Sequence, residues 1–215
     1  MSQIRVKICG ITSAVDAAAA VEAGADALGF VLWKGSPRHV EPSALPGLTA
    51  DLPAAIDRVG VFVDATRAEI EEAAAGGIAR AQLCGTESPE FCESLAIPWY
   101  KVFRIENGTW PATLVAAIRS YPSPTFMLDA GSASRPGGTG ETIDWRAAAK
   151  VSIGAALGGA SRLILAGGLT PENVATAIGL VRPWGVDVSS GVESSPGRKD
   201  HGRVRAFVDA VRGLS

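Results

Sequence analysis

The sequence predicts a single α/β domain closed into a (β/α)8 barrel. Three observations carry the prediction. Eight short apolar, β-branched runs alternate with helical patterns from end to end, and successive runs start roughly 20–37 residues apart. Polar or glycine-rich segments recur just after the runs, where the catalytic face of such a barrel lies. No Pro/Ser-rich linker, identical repeat or charge run divides the chain, so residues 1–215 read as one catalytic domain.

In order, the predicted strands are Gln3–Ile8, Ala27–Val31, Arg58–Phe62, Arg80–Leu83, Trp99–Val102, Thr125–Leu128, Arg162–Ala166 and Gly185–Val188. The predicted helices between them are Ser13–Ala23, a short one near Ser43–Ala50, Thr66–Ala75, Pro89–Leu95, Ala112–Tyr121, Trp145–Leu157 and Pro171–Leu180. A last helix at about Gly202–Leu214 closes the chain. An open doubly wound sheet would more often show one dominant glycine-rich fingerprint after its first strand, and none stands there.

Strand parity supplies a geometric test of closure. Alternate residues share a face, which groups Lys7 with Cys9, Met127 with Asp129 and Asp187 with Ser189. If those faces point inward, Lys7 and Asp187 lie on strands one and eight, which are neighbours only in a closed barrel. Two opposite charges inside a barrel are tolerable only as a pair. A Lys7–Asp187 contact is therefore expected.

Composition narrows the function classes. A formal charge of −2 leaves no basic field for nucleic acid, and no apolar stretch approaches a membrane span. The N-terminus MSQIRVKICGIT has no signal-peptide pattern. Cys9, Cys84 and Cys92 form no C-x-x-C pair, which fits a reducing cytoplasm, and two histidines are too few and too scattered for a metal site. The Walker pattern and the dinucleotide fingerprint are absent, so neither ATP nor NAD is expected.

Four places carry candidate chemistry. Cys9, ending strand one in KICG, can serve as a general base if its thiolate is stabilised, and Lys7 would favour that thiolate; an inert buried thiol is the alternative. Asp129 ends strand six in FMLDA, before the glycine-rich segment GSASRPGGTGET that contains Gly138, and can serve as general acid or base. AGGLTPENV and SSGVESSPGRKD follow strands seven and eight, the usual phosphate-binding loops of such barrels. Gly167, Gly168, Ser189, Ser190 and Gly191 are the candidate phosphate cradle, with tight turns as the alternative role. Arg38 in SPRHV presents a fork suited to a carboxylate, although a solvated arginine would look the same in sequence. Gln82 can hydrogen-bond inward near the end of strand four. Lys7, Arg38, Gln82, Gly138 and Asp187 make up the candidate substrate-binding set.

Taken together, the ordered segments resemble the phosphoribosylanthranilate isomerase family of tryptophan biosynthesis. They are VKICGIT (6–12), GADALGFV (24–31), SPRHV (36–40), VGVFVD (59–64), AQLCG (81–85), LDA (128–130), GGTGETIDW (137–145), LAGGLTPENV (165–174) and GVDVSSGVESSPGRKD (185–200). The resemblance implies a TIM barrel and an Amadori rearrangement by acid–base catalysis, with no metal or cofactor. The small-molecule substrate is the expected partner, in a monomer or a homodimer. It places the family's base on Cys9, its acid on Asp129 and its carboxylate-binding arginine on Arg38. For that chemistry Asp129 must be protonated while Cys9 is ionised, the reverse of their order in water. One departure stands out: the family usually has QLHG where this chain has QLCG, with Cys84 in place of the histidine. The histidine-pathway sister isomerase normally has a carboxylate at the end of strand one, where this chain has Cys9. A non-catalytic sensor of a phosphorylated ligand is the reading from a different class.

Overall fold

The computed structural model describes residues 3–105, 112–130, 145, 148–149 and 162–214. Eight parallel strands close into a barrel in chain order: β1 (Arg5–Cys9), β2 (Ala27–Val31), β3 (Asp57–Phe62), β4 (Arg80–Leu83), β5 (Trp99–Ile105), β6 (Thr125–Ala130), β7 (Arg162–Leu165) and β8 (Gly185–Val188). β1 pairs with both β2 and β8, and the second seam sets Lys7 opposite Asp187. The predicted closure is therefore observed at the residues that predicted it.

Period-two alternation divides each strand between two cores. One face of each strand fills the barrel with Val59, Tyr100, Met127, Ile164 and their neighbours. The other packs Ile8, Leu28, Phe30, Leu83, Leu128 and Leu165 against the surrounding helices, and all six are essentially inaccessible. Burying one such side chain contributes about 1.5–3 kcal/mol relative to leaving it in water. These two apolar layers set the strand register, because a one-residue slip would exchange them.

The helices are α1 (Ala14–Glu22), α2 (Leu45–Thr49), α3 (Arg67–Ala75), α4 (Pro89–Glu93), α5 (Ala112–Arg119), α6 (Val174–Val181) and α7 (His201–Arg212). Their starts follow from side-chain caps. Ser13, Thr66, Ser88 and Asp200 each accept a hydrogen bond from a backbone N–H in the first turn, and Thr66 forms a capping box with Glu69. α7 turns Val204, Phe207, Val208 and Val211 inward, and Arg212 at its end donates to the carbonyls of Ile4 and Gly24 and to the Asp26 carboxylate.

Among the boundaries that differ from the sequence expectation, two have a plain physical reason. α6 starts at Val174 rather than Pro171, because Asn173 is used in the preceding loop. Its Oδ1 accepts from Thr170 N and its Nδ2 donates to the Gly168 carbonyl, at 2.8 and 2.9 Å. β5 runs three residues past Val102 because it stays paired with β6 as far as Ile105–Ala130. The expected helix Trp145–Leu157 and the segment after β6 fall largely or wholly outside the described residues. Among the described residues no helix is long and apolar enough to cross a membrane.

Candidate active site

A cleft opens at the C-terminal ends of the strands, the face on which barrels of this kind bind small ligands. Cys9, Arg38, Gln82, Asp129 and Asp187 all line it, as do the five phosphate candidates. Lys7 does not: it sits lower in the barrel and reaches the cavity at the opposite end. Gly138 lies outside the described residues.

The barrel interior below the cleft is a chain of polar contacts. Lys7 Nζ lies 2.7 Å from Asp187 Oδ1 and 2.9 Å from Gln82 Oε1, and Tyr100 Oη donates to the same Gln82 oxygen at 2.8 Å. With Oε1 accepting twice, the Gln82 amide is oriented so that Nε2 points to Cys84 Sγ at 3.5 Å. This buried relay joins β8, β1, β4 and β5, and every member is satisfied, as an ionic group in a barrel must be.

Cys9 stands opposite Gly29 of β2. A Cβ at Gly29 would come within 2.7 Å of Cys9 Sγ and 3.0 Å of Lys7 Nζ, so this glycine makes room for both. Burial pushes the Cys9 thiol up, and the opposing pull of Lys7 does not cancel it. Lys7 thus favours the thiolate, as expected, but burial is the larger effect. Burial is the largest single effect on the Lys7 ammonium and works against its charge, but Asp187 first, then Cys9 and Tyr100, together hold its pKa well above the ordinary lysine value. Asp129 behaves as expected: burial first, then the nearby Asp187 charge, push its carboxyl up to about 6. Burial therefore shifts both groups toward their neutral forms, the Asp129 carboxyl and the Cys9 thiol.

Cys84 lines the cleft with its thiol pushed up to about 12, chiefly by desolvation, which favours the neutral thiol.

The phosphate candidates meet where β7 and β8 end. Gly167 and Gly168 hold φ of +87° and +62°, and a Cβ on Gly167 would collide with the Ala130 backbone. Gly191 has no room either, because its Cβ would strike the Leu169 carbonyl. Ser189 Oγ is buried and lacks a partner among the described residues, a hydroxyl that a ligand oxygen could engage. Replacing Gly191 with Ala is expected to raise KM at least tenfold, since backbone must shift in both loops at once; a KM within twofold of wild type would exclude this cradle.

Sequence reasoning missed three side chains. Arg104, exposed to the cleft by the longer β5, has a buried Nε without a partner among the described residues. Glu193 and Lys199 come together in the hairpin β9 (Glu193–Ser195) and β10 (Arg198–Lys199). Ser-Pro-Gly between them is a turn signal that could have placed the two side by side. Lys199 is enclosed completely and donates to the Cys9 carbonyl at 2.5 Å, to Glu193 Oε1 at 2.8 Å and to the Ser189 carbonyl at 3.3 Å. Arg38 is not a free fork: its Nε and Nη2 are held by Glu193 at 2.9 and 2.7 Å. Among the described residues no cluster of three His, Cys, Asp or Glu side chains could hold a metal ion.

Comparison with known proteins identifies the family. The profile of the N-(5'phosphoribosyl)anthranilate (PRA) isomerase family matches residues 6–210. The N-(5'-phosphoribosyl)anthranilate isomerase of Geobacter sulfurreducens is 47% identical over 211 residues, covering 98% of this chain and 99% of its own. Phosphoribosyl anthranilate isomerase from Thermotoga maritima superposes with a TM-score of 0.86 at 36% identity, covering 99% of this chain and 100% of its own. A second structure of such an isomerase, in complex with reduced 1-(o-carboxyphenylamino)-1-deoxyribulose 5-phosphate, gives 0.84 at 35% identity over the same shares. Matched along almost its whole length, the chain belongs to the N-(5'-phosphoribosyl)anthranilate isomerase family.

Proposed function

We propose that this chain, acting as a single catalytic domain over residues 1–215, isomerises N-(5'-phosphoribosyl)anthranilate to 1-(2-carboxyphenylamino)-1-deoxyribulose 5-phosphate in tryptophan biosynthesis. The observation that carries the reading is one cleft holding Cys9 and Asp129 together with the loops after β7 and β8. Because one chain lines that cleft, either a monomer or a homodimer would carry the site. Cys9, Cys84 and Cys92, all free and buried, suit a reducing cytoplasmic setting.

Protonated Asp129 gives its proton to the furanose ring oxygen. The C1–O bond breaks as the anilino nitrogen lone pair forms the protonated imine. Cys9 thiolate then removes the proton from C2, the electron pair neutralises the iminium, and the resulting enolamine tautomerises to the ketone. Each step moves a proton, work suited to a carboxyl and a thiol. The phosphate is held by the Gly167–Gly168 and Ser189–Gly191 loops and the anthranilate carboxylate by Arg38, which keeps C2 between acid and base. The test is turnover of freshly generated phosphoribosylanthranilate, followed by loss of its fluorescence. Binding without turnover would favour the sensor reading instead.

The titration of the two groups predicts an unusual profile. The competent form has Asp129 protonated and Cys9 ionised, although Asp129 loses its proton first as pH rises. Below pH 6 falling pH depletes the thiolate, and above the Cys9 pKa rising pH depletes the protonated acid. Between these limits the competent form is a small fraction that does not change with pH. kcat/KM is therefore expected to fall below about pH 6, stay flat across neutrality and fall again in the alkaline range. Alkylation of Cys9 should follow the alkaline limb; alkylation that is already complete at pH 6 would contradict the profile.

A further inference from the structure

The contact between Arg38 and Glu193 sets a constraint on what the cleft can recognise. Guanidinium has five N–H donors on two usable edges. Glu193 takes the edge formed by Nε and Nη2 with both of its carboxylate oxygens, which leaves both Nη1 protons and one on Nη2. The remaining edge is again a two-pronged donor, sized for a second carboxylate.

Every part of this arrangement is fixed from behind. The Arg38 stem crosses Gly10, where a Cβ would meet Arg38 Cδ at 2.6 Å, and Gly10 adopts a φ of +78°. The Glu193 side chain is 4% exposed, and the Oε1 that accepts from Arg38 Nε also accepts from Lys199, which is itself anchored on the ends of β1 and β8. Arg38 lines the cleft, whereas Glu193 and Lys199 stand behind it. The three buried charges sum to +1, and they meet the ligand only through Arg38.

We propose that Glu193 is a positioning residue that determines substrate specificity: by clamping one edge of Arg38 it aims the other at the aryl carboxylate, and so makes the enzyme select N-aryl aminosugar phosphates carrying an ortho-carboxylate. The proposal rests on the reading of Arg38 as the carboxylate-binding group. An unclamped arginine would still attract an anion, but would have to be ordered on each binding event, and the gain in selectivity would be lost.

The test compares two substrates in wild type, Glu193→Gln, Arg38→Ala and the double variant. One is phosphoribosylanthranilate, and the other is N-(5-phosphoribosyl)aniline, made from aniline and ribose 5-phosphate, which lacks the carboxylate. Glu193→Gln should lower kcat/KM for the carboxylated substrate about tenfold or more, mostly through KM, and leave the aniline substrate within twofold. In the Arg38→Ala background the same change should cost nothing further. Both limbs of the pH profile should stay in place. An equal loss on both substrates, or full additivity with Arg38→Ala, would show that Glu193 shapes the loop after β8 and does not act through Arg38. If Arg38→Ala itself leaves both substrates unchanged, the Arg38 reading fails, and this proposal fails with it. Should the uncharged glutamine disturb folding beside Lys199, Glu193→Asp keeps the charge and withdraws the clamp by one methylene. It should give the same loss on the carboxylated substrate alone.

Discussion

Cys9→Ala is expected to lower kcat by about 10³–10⁴-fold with KM changed less than threefold, the upper range of what one general base contributes. The residue lies at the last position of β1, with its Sγ against Gly29 and its backbone carbonyl bound by Lys199. Alanine removes the sulfur alone: the Lys199 contact is to the backbone, and the lost contact surface faces the cleft. The fold and the ligand-binding loops should therefore survive, and the loss should be in chemistry. Cys9→Ser should do little better, since a hydroxyl holds its proton far more tightly than a thiol. Asp129→Asn should produce a loss of the same order, because it removes the only proton donor proposed for ring opening. The two losses should combine to much less than their product, as for groups that act in one sequence. Stopped-flow fluorescence on single turnovers separates these effects from product release. A Cys9→Ala enzyme that kept a tenth of wild-type kcat would exclude Cys9 as the base.

How much of this site could be read from the chain depends on what kind of interaction placed each residue. Strand parity alone put Cys9, Asp129 and Asp187 on inward faces, because period-two alternation is a local property and barrel closure does the rest. The Lys7–Asp187 pair followed from the cost of burying two charges. Lys7 does pull the Cys9 thiol toward its thiolate, and the larger opposing cost of burial was open to the same reasoning about inward faces. The Arg38–Glu193 clamp was not, since it spans 155 residues and exists only because the loops after β2 and β8 meet over the closed mouth. Arg104 escaped because Phe103-Arg104-Ile105 reads as a polar break after an apolar run. Pairing with β6 carries the strand through it.

Lys7→Met is expected to destabilise the fold by about 3–5 kcal/mol, the usual consequence of removing one partner from a buried ion pair. Lys7 and Asp187 are 4% and 8% exposed, and the relay gives the ammonium two short contacts, to Asp187 and Gln82. Methionine fills most of the volume, so the deficit is electrostatic. Asp187 is left charged inside the barrel, and Gln82 Oε1 keeps only the Tyr100 hydroxyl. The loss is read by denaturant unfolding of the variant against wild type. Adding Asp187→Leu should recover much of the loss, because an apolar pair of similar volume has no charge to desolvate. Recovery of stability without recovery of activity would separate the two duties of this seam. One is to close β1 onto β8, which any well-packed pair can do. The other is to place the Asp187 charge where, after burial, it helps push the Asp129 carboxyl up to about 6, which only a carboxylate does.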